Sequence, residues 1–262
     1  MKVRDVQHPM LPETTAEEQS RQRAVVSLRK ILNARVRSAN VRRFEEEGAP
    51  AFAARHGRQP QSPEDIERAF FESPGYRMWS AVNRSVQEMI WLSVGEPIFR
   101  DRARMQAAAS ALTESPTKLG ALKLDPAYDP SPEIAGVDIH LQPGGYARHG
   151  SPGDIVPAPF YQTRGQNFSL RQGAGKSDSK AGVIFNLLRS DFPDFTPTRI
   201  LDLGCSAGAA SAAYAAEYPE ADVHALDIGA GMLRYAHARA EALGVRVTFH
   251  QMDAARLNFA DD

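Results

Sequence analysis

Apolar residues recur along the chain in three different rhythms, and the changes of rhythm divide it. From Thr15 to about Gly48, Val25, Leu28, Leu32 and Val36 fall three or four residues apart, on one face of a single long helix. Thr15-Ala16-Glu17-Glu18 has the spacing of a capping box at its start, and Gly48 with Pro50 just beyond is expected to stop it. Ser62-Pro63-Glu64-Asp65 opens a short helix to about Phe71, with proline where a missing N–H costs nothing and acids near the positive end of the dipole. After Ser73-Pro74-Gly75 the positions Met78, Val82, Val86, Met89 and Ile90 keep helical spacing. Gly95-Glu96-Pro97 is expected to break that run before a further helix through Met105 to Leu112. Trp79 and Trp91 read as core anchors, with an aromatic ligand platform as the alternative. The first dozen residues, polar and with two prolines, are expected to hang loose.

From Thr113 to about Ser177 the periodicity disappears and prolines and glycines crowd in. A loop of that length inside a compact domain implies a function, so it reads as a lid, a substrate-facing wrap or a connector. Within it Asp138-Ile139-His140-Leu141-Gln142-Pro143-Gly144-Gly145-Tyr146 sets a titratable imidazole beside a sharp turn. His140 is a candidate general base or substrate contact, against the alternative of an ordinary loop histidine bonded to backbone. Tyr161, Arg164, Asn167 and Phe168 are candidates for covering a ligand or for pinning the loop down.

Near Asp178 regularity returns. Val183, Ile184, Leu187 and Leu188 form a helical stripe ending before Pro193, followed by a strand Arg199 to Leu203, an alanine-rich helix Ala209 to Tyr218 and a strand Asp222 to Asp227. A helix through Met232, Leu233, Ala236, Ala240 and Leu243, closed by Gly244, then leads to a strand Val245 to Asp253. This succession is the start of a doubly wound parallel sheet with right-handed crossovers. The expected organisation is a helical module over 1–112, a connector or lid over 113–177 and the first half of a Rossmann-like α/β domain over 178–262.

Composition narrows the classes. A chain of 262 residues, 42% hydrophobic and 24% charged, can bury a sizeable core. A net charge of -1 provides no field to concentrate nucleic acid or anionic lipid. The arginines from Arg21 to Arg43 are answered by Glu45, Glu46 and Glu47 and read as a solvated face. Cys205 is the one cysteine, so no internal disulfide forms; no signal-like or membrane-length apolar run is present, and a cytoplasmic location is expected.

The chemistry lies at the predicted strand ends, where open parallel sheets bind ligands. Gly204 and Gly208 let a ligand approach the backbone, and the following helix points its free N–H groups at the same spot. Asp202, Asp227 and Asp253 end the three strands. Carboxylates only accept hydrogen bonds, so three of them suit a cationic or hydroxyl-rich molecule and repel a pyrophosphate. Asp227 is placed to accept from two ribose hydroxyls and Asp253 from an exocyclic amine of a base, with Ile228 and Met252 as apolar walls. Against the dinucleotide fingerprint Gly-x-Gly-x-x-Gly the loop supplies the first glycine only, with Ser206 and Ala209 at the other places. Cys205 has no flanking base and reads as a small side chain under the loop.

Asp202-Leu203-Gly204-Cys205-Ser206-Ala207-Gly208, followed by Leu226-Asp227-Ile228 and by Gln251-Met252-Asp253-Ala254, resembles a class I S-adenosylmethionine-dependent methyltransferase. The resemblance implies that Asp202, Gly204, Ser206 and Gly208 shape the methionine end of an S-adenosyl-L-methionine site, that Asp227 holds the ribose, and that Asp253 with Met252 holds the adenine. Ser206 stands where many members carry a middle glycine. It also implies in-line methyl transfer without a metal, with His140 as base for a hydroxyl acceptor. Such domains continue through at least four more strands, so the chain is expected to be a fragment or a truncated product. The even charge favours a small-molecule substrate over nucleic acid; a homodimer through the helical module is the expected assembly. A non-catalytic binding or assembly protein built on an incomplete methyltransferase fold is the alternative reading.

Overall fold

The computed structural model describes residues 7–147, 151, 153–168 and 179–260. They fall into two compact units, one of residues 16–93 and the other of the residues up to Thr15 together with those from Val94 onward.

In the first unit α1 (Ala16–Ile31) runs through a π-helical turn at Leu32–Val36 into α2 (Arg37–Arg43), a second such turn at Phe44–Gly48, and α3 (Ala49–His56). Gly48 does not end the helix as expected. The end comes at Gly57, left-handed at φ 68°, whose N–H donates to the Ala53 carbonyl. Pro50 is the second residue of α3, directly after the π-helical turn, and its backbone continues the helix. α4 (Pro63–Glu72) starts as its residues dictate. Ser62 Oγ accepts from the Asp65 N–H at 3.2 Å, and the Asp65 carboxylate accepts from Ser62 and Gln61 N–H and from the Arg58 guanidinium.

α5 (Pro74–Arg100) passes through Gly95 and Pro97 without stopping, contrary to the expected break. A proline deprives the carbonyl four residues back of its donor, here that of Ser93. The Gln22 side-chain amide donates to that carbonyl at 3.0 Å, so no buried acceptor is left unmet. Trp91 is buried and Trp79 half-buried, in keeping with core anchors. Among the described residues no helix is long and apolar enough to cross a membrane.

The second unit contains α6 (Arg102–Thr113), β1 (Ala121–Lys123), α7 (Pro132–Ala135), α8 (Pro157–Phe168), α9 (Ser179–Asp191), β2 (Arg199–Leu203), α10 (Ala209–Glu217), β3 (Asp222–Asp227), α11 (Ala230–Ala242) and β4 (Thr248–Gln251). The strands form a parallel sheet in the order β1-β4-β3-β2, a Rossmann-like α/β arrangement. Strand alternation puts Val223, Ala225 and Phe249 on one face, packed with Leu233, Ala236 and Ala240 of α11. α11 also meets α6 and α8, and this burial on all sides explains why Tyr235, Ala238 and Arg239 are as inaccessible as its apolar stripe.

Several features depart from the sequence expectation: α8 is a regular helix inside the segment expected to lack periodicity, and β4 is shorter at both ends than the expected Val245 to Asp253. β1 comes from the segment without periodicity: three residues carry no readable rhythm, and the strand exists because Glu241 accepts from Leu119 and Gly120 N–H at 2.8 and 2.7 Å and aligns it along β4. Within the first dozen residues, the described ones are not loose. Met10 is fully buried, His8 lies within 3.3 Å of Tyr235 Oη, and Arg104 donates to the Pro9 and Leu11 carbonyls at 2.8 and 2.7 Å.

Candidate functional site

Parallel register brings the ends of β2 and β3 side by side, Asp202 opposite Ala225 and Leu203 opposite Leu226. The chain then turns through a loop in which Gly204, Ser206 and Gly208 all have positive φ, at 72°, 49° and 70°. Gly204 and Cys205 both donate to the Leu226 carbonyl at 2.9 Å, which holds the loop against the end of β3. Ser206 adopts a left-handed backbone that glycine would take at no cost. At Gly208 a Cβ would stand 2.7 Å from the Ala236 Cβ, so only glycine lets the loop rest on α11.

Asp227 is the junction of the site. Its Oδ2 accepts the Ser206 N–H and its Oδ1 the Gly229 N–H, each at 2.9 Å, tying the glycine loop to the start of α11. Its backbone carbonyl accepts the Met252 N–H at 3.1 Å, extending the β3–β4 ladder by one step. Burial pushes the Asp227 carboxyl above the usual range, these N–H bonds oppose the shift, and the charge of Asp202 adds to it. Asp202 is raised for the same first reason, with Ser211 Oγ donating to its Oδ2 at 2.6 Å. A partly buried acid raised by a neighbouring acid is stabilised by a cation brought beside it.

Met252 and Asp253 line a cavity of about 820 Å³ together with Asp125, Tyr128, His250 and Gln251. Asp253 accepts the Ala255 N–H at 2.9 Å, which fixes the turn after β4. The Tyr128 hydroxyl is shifted up by burial and then by the charges of Asp253 and Asp227, so both acids act on one point above the sheet. Gln251 donates to the Ile228 carbonyl at 3.0 Å and accepts the Asp125 N–H at 3.2 Å, joining the loop after β1 to the residue after Asp227. Of the predicted site residues, Met252 and Asp253 line this cavity, whereas Asp202, Asp227, Ile228 and the glycine loop are not among its lining residues and are linked to it through the Met252 N–H on the Asp227 carbonyl and Gln251 on the Ile228 carbonyl.

His140 is not among the residues lining this cavity. It takes a left-handed backbone, φ 58°, and its Nδ1 lies 2.7 Å from Tyr146 Oη. The Tyr146 carbonyl oxygen lies 2.5 Å from where a Gly229 Cβ would be, so this turn closes over the residue whose N–H binds Asp227. Tyr161 meets the Tyr146 ring edge-on at 5.8 Å, and Arg164 acts electrostatically on both His140 and Tyr146. Asn167 lies exposed on α8; the Phe168 side chain is outside the described residues. The Cys205 thiol is buried and pushed well up by burial and by Asp227 and Asp202, so it is inert as a nucleophile. Among the described residues no group of three or more His, Cys, Asp or Glu side chains is arranged to hold a metal.

Tyr128 and Ser211 had no readable signal. Tyr128 reaches the site only because β1 pairs with β4, and Ser211 only because α10 folds back over β2.

Residues 200–262 match the methyltransferase domain family. This stretch is the part of the chain that resembles a class I methyltransferase domain. Within it, 66 residues are 44% identical to trans-aconitate 2-methyltransferase of Methylobacterium nodulans, a match that covers 25% of this chain and 24% of that enzyme. The chain therefore spans about a quarter of the length of the curated relative it matches. The methyltransferase likeness falls on β2, β3, β4 and the loops between them, where Asp202, Asp227 and Asp253 lie; β1, the His140 turn and the helical unit are outside it.

Proposed function

We propose that this protein binds S-adenosyl-L-methionine at the carboxyl ends of β2, β3 and β4 and serves methyl transfer to a small-molecule acceptor. The observation that carries the reading is Asp227: a half-buried carboxylate bonded to the glycine loop and to the start of α11, and raised by the charge of a second, half-buried acid, Asp202. The donor set fits the cofactor. Two of the roughly four acceptor positions of the Asp227 carboxylate are used by backbone N–H groups, which leaves two for vicinal ribose hydroxyls. Asp253 accepts from the adenine amine, Ile228 and Met252 flank the ring, and Tyr128 closes the cavity beside it. Asp202 with Gly204, Ser206 and Gly208 receives the cationic methionine end. When bound, the sulfonium supplies an electrophilic methyl group.

The chain's own contribution is positioning, exclusion of water and custody of a proton. Partial burial and the Arg164 charge hold the His140 imidazole below its usual range, which favours its neutral form. Its Nδ1 lies 2.7 Å from Tyr146 Oη, and we assign it the role of base toward an acceptor hydroxyl. The relative's name gives trans-aconitate, a small acceptor, and the near-zero net charge of this chain points the same way.

Calorimetry tests the reading. Micromolar binding of S-adenosylmethionine and S-adenosylhomocysteine is expected, weakened at least about 100-fold, roughly 2.7 kcal/mol, by Asp227→Ala. Binding should also weaken as pH falls through the raised carboxyl range, because the protonated acids no longer attract the cation. A folded protein that binds neither compound is a scaffold rather than a methyltransferase.

A further inference from the structure

The helical unit encloses a cavity of its own, of about 260 Å³, whose lining residues all lie between Asn40 and Tyr76. Its back wall is the π-helical turn Phe44–Gly48, a geometry that occupies well under 1% of residues in folded proteins and collects at functional sites. Phe44 stacks on Phe70 with centroids 4.5 Å apart and planes 19° apart, and Phe70 meets Tyr76 at 4.7 Å, so one side is a continuous aromatic surface.

The other side is polar and incomplete. Asn40 is only 9% exposed, and its amide Nδ2 has no hydrogen-bond partner. A buried amide left unmet costs about 1–3 kcal/mol, a cost that persists in a folded protein where something else answers the donor. Arg43 and Phe44 lie three and four residues beyond Asn40, on the same face of the helical run. Arg55 is held by Glu72 at 2.5 Å, whereas Arg43 has only a long contact to Glu47, at 3.7 Å. The cavity therefore offers aromatic walls and one orphan donor; of the charged groups on its lining Arg55 and Glu72 satisfy each other, while Arg43 is only loosely paired with Glu47.

We propose that it is a binding site for a small aromatic carboxylate. The ring packs on Phe44 and Tyr76, and the carboxylate accepts from Asn40 Nδ2 and pairs with Arg43. An orphan donor beside a guanidinium selects an anionic acceptor over an amine, which would meet Arg43 with like charge. The volume sets the size: a 150 Å³ apolar cavity holds benzene and drug-sized ligands start near 300 Å³, so about 260 Å³ takes one ring with a short substituent. The site is independent of the methyl-transfer reading and stands or falls without it.

The test is a titration of the full chain with benzoate, followed by NMR of the labelled Ala51 and Ala69 methyl groups, with benzylamine and cyclohexanecarboxylate as controls. Benzoate is expected to shift both resonances saturably, with at least tenfold weaker binding of either control. Asn40→Leu should reduce benzoate affinity at least tenfold while raising Tm, since it removes the unmet donor. Ala51→Trp, at an exposed helix position, should fill the cavity and abolish the shifts. Non-saturable shifts, equal shifts with benzylamine, or benzoate binding unchanged in both variants would overturn the proposal; should Asn40→Leu fail to fold, Ala51→Trp decides alone.

Discussion

The inner strands of the sheet and the helical unit keep their apolar residues differently. In β3 and β4 Val223, Ala225, Leu226 and Phe249 are at most 2% exposed and α11 is enclosed on every side, whereas the edge strand β2 leaves Leu201 and Leu203 40% and 52% exposed. In the helical unit Ile31, Met78, Met89 and Leu92 are between 42% and 74% exposed, and Asn40 and Trp79 keep buried N–H groups without partners. The closed inner strands hold the backbone that carries Asp227. A loosely filled helical unit leaves surface and volume for something to bind.

The sharpest way to break this contrast is a pair of truncations. Phe249→Ala removes a fully buried ring and should cost about 3–5 kcal/mol in urea unfolding, whereas Leu92→Ala, at 74% exposure, should change stability by less than about 0.5 kcal/mol. Equal losses would show that the exposed leucine is covered in solution.

Next in size is acid sensitivity of the sheet unit. Burial and the Arg239 charge lower the His8 pKa to about 4. The unfolded chain, with an ordinary histidine near 6.5, then binds more protons between those values than the folded one. Stability is complete above about pH 6.5 and declines as pH falls toward 4, by at most about 3 kcal/mol. Thermal melts from pH 7 to 4.5 should show this slope, and His8→Gln should flatten it; an unchanged slope would assign the acid loss elsewhere.

Glu241→Ala removes the acceptor for Leu119 and Gly120 N–H and should free β1 from β4, at about 2 kcal/mol. Hydrogen exchange at Ala121–Lys123 reads this directly. Smallest is the gain of about 1 kcal/mol expected from Asn40→Leu, a stabilising substitution in the helical unit that has no counterpart at the hydrogen-bonded Asp227.

The strands Arg199 to Leu203 and Asp222 to Asp227 and the turns after them were readable from residue order, because each depends on neighbours within a few positions. So was the helix start at Ser62. The stops expected at Gly48 and Pro97 failed for a different reason in each case. One glycine falls inside a π-helical turn, and the carbonyl that the proline leaves unmet is answered by Gln22, a partner far away in the chain. His140 was identifiable as unusual, but its pairing with Tyr146 depended on a left-handed turn that no local pattern announces in a non-glycine residue.

Residue order therefore set the alternation of strand and helix, the small residues of the loop and the acids that end the strands, since these are short-range consequences of backbone preference and side-chain size. The folded chain alone settled which distant groups meet: β1 beside β4, Tyr128 under the influence of Asp253 and Asp227, and an aromatic cavity around Asn40. Such contacts join segments whose separation along the chain carries no periodic signal, and they form only when hydrophobic burial brings whole elements together.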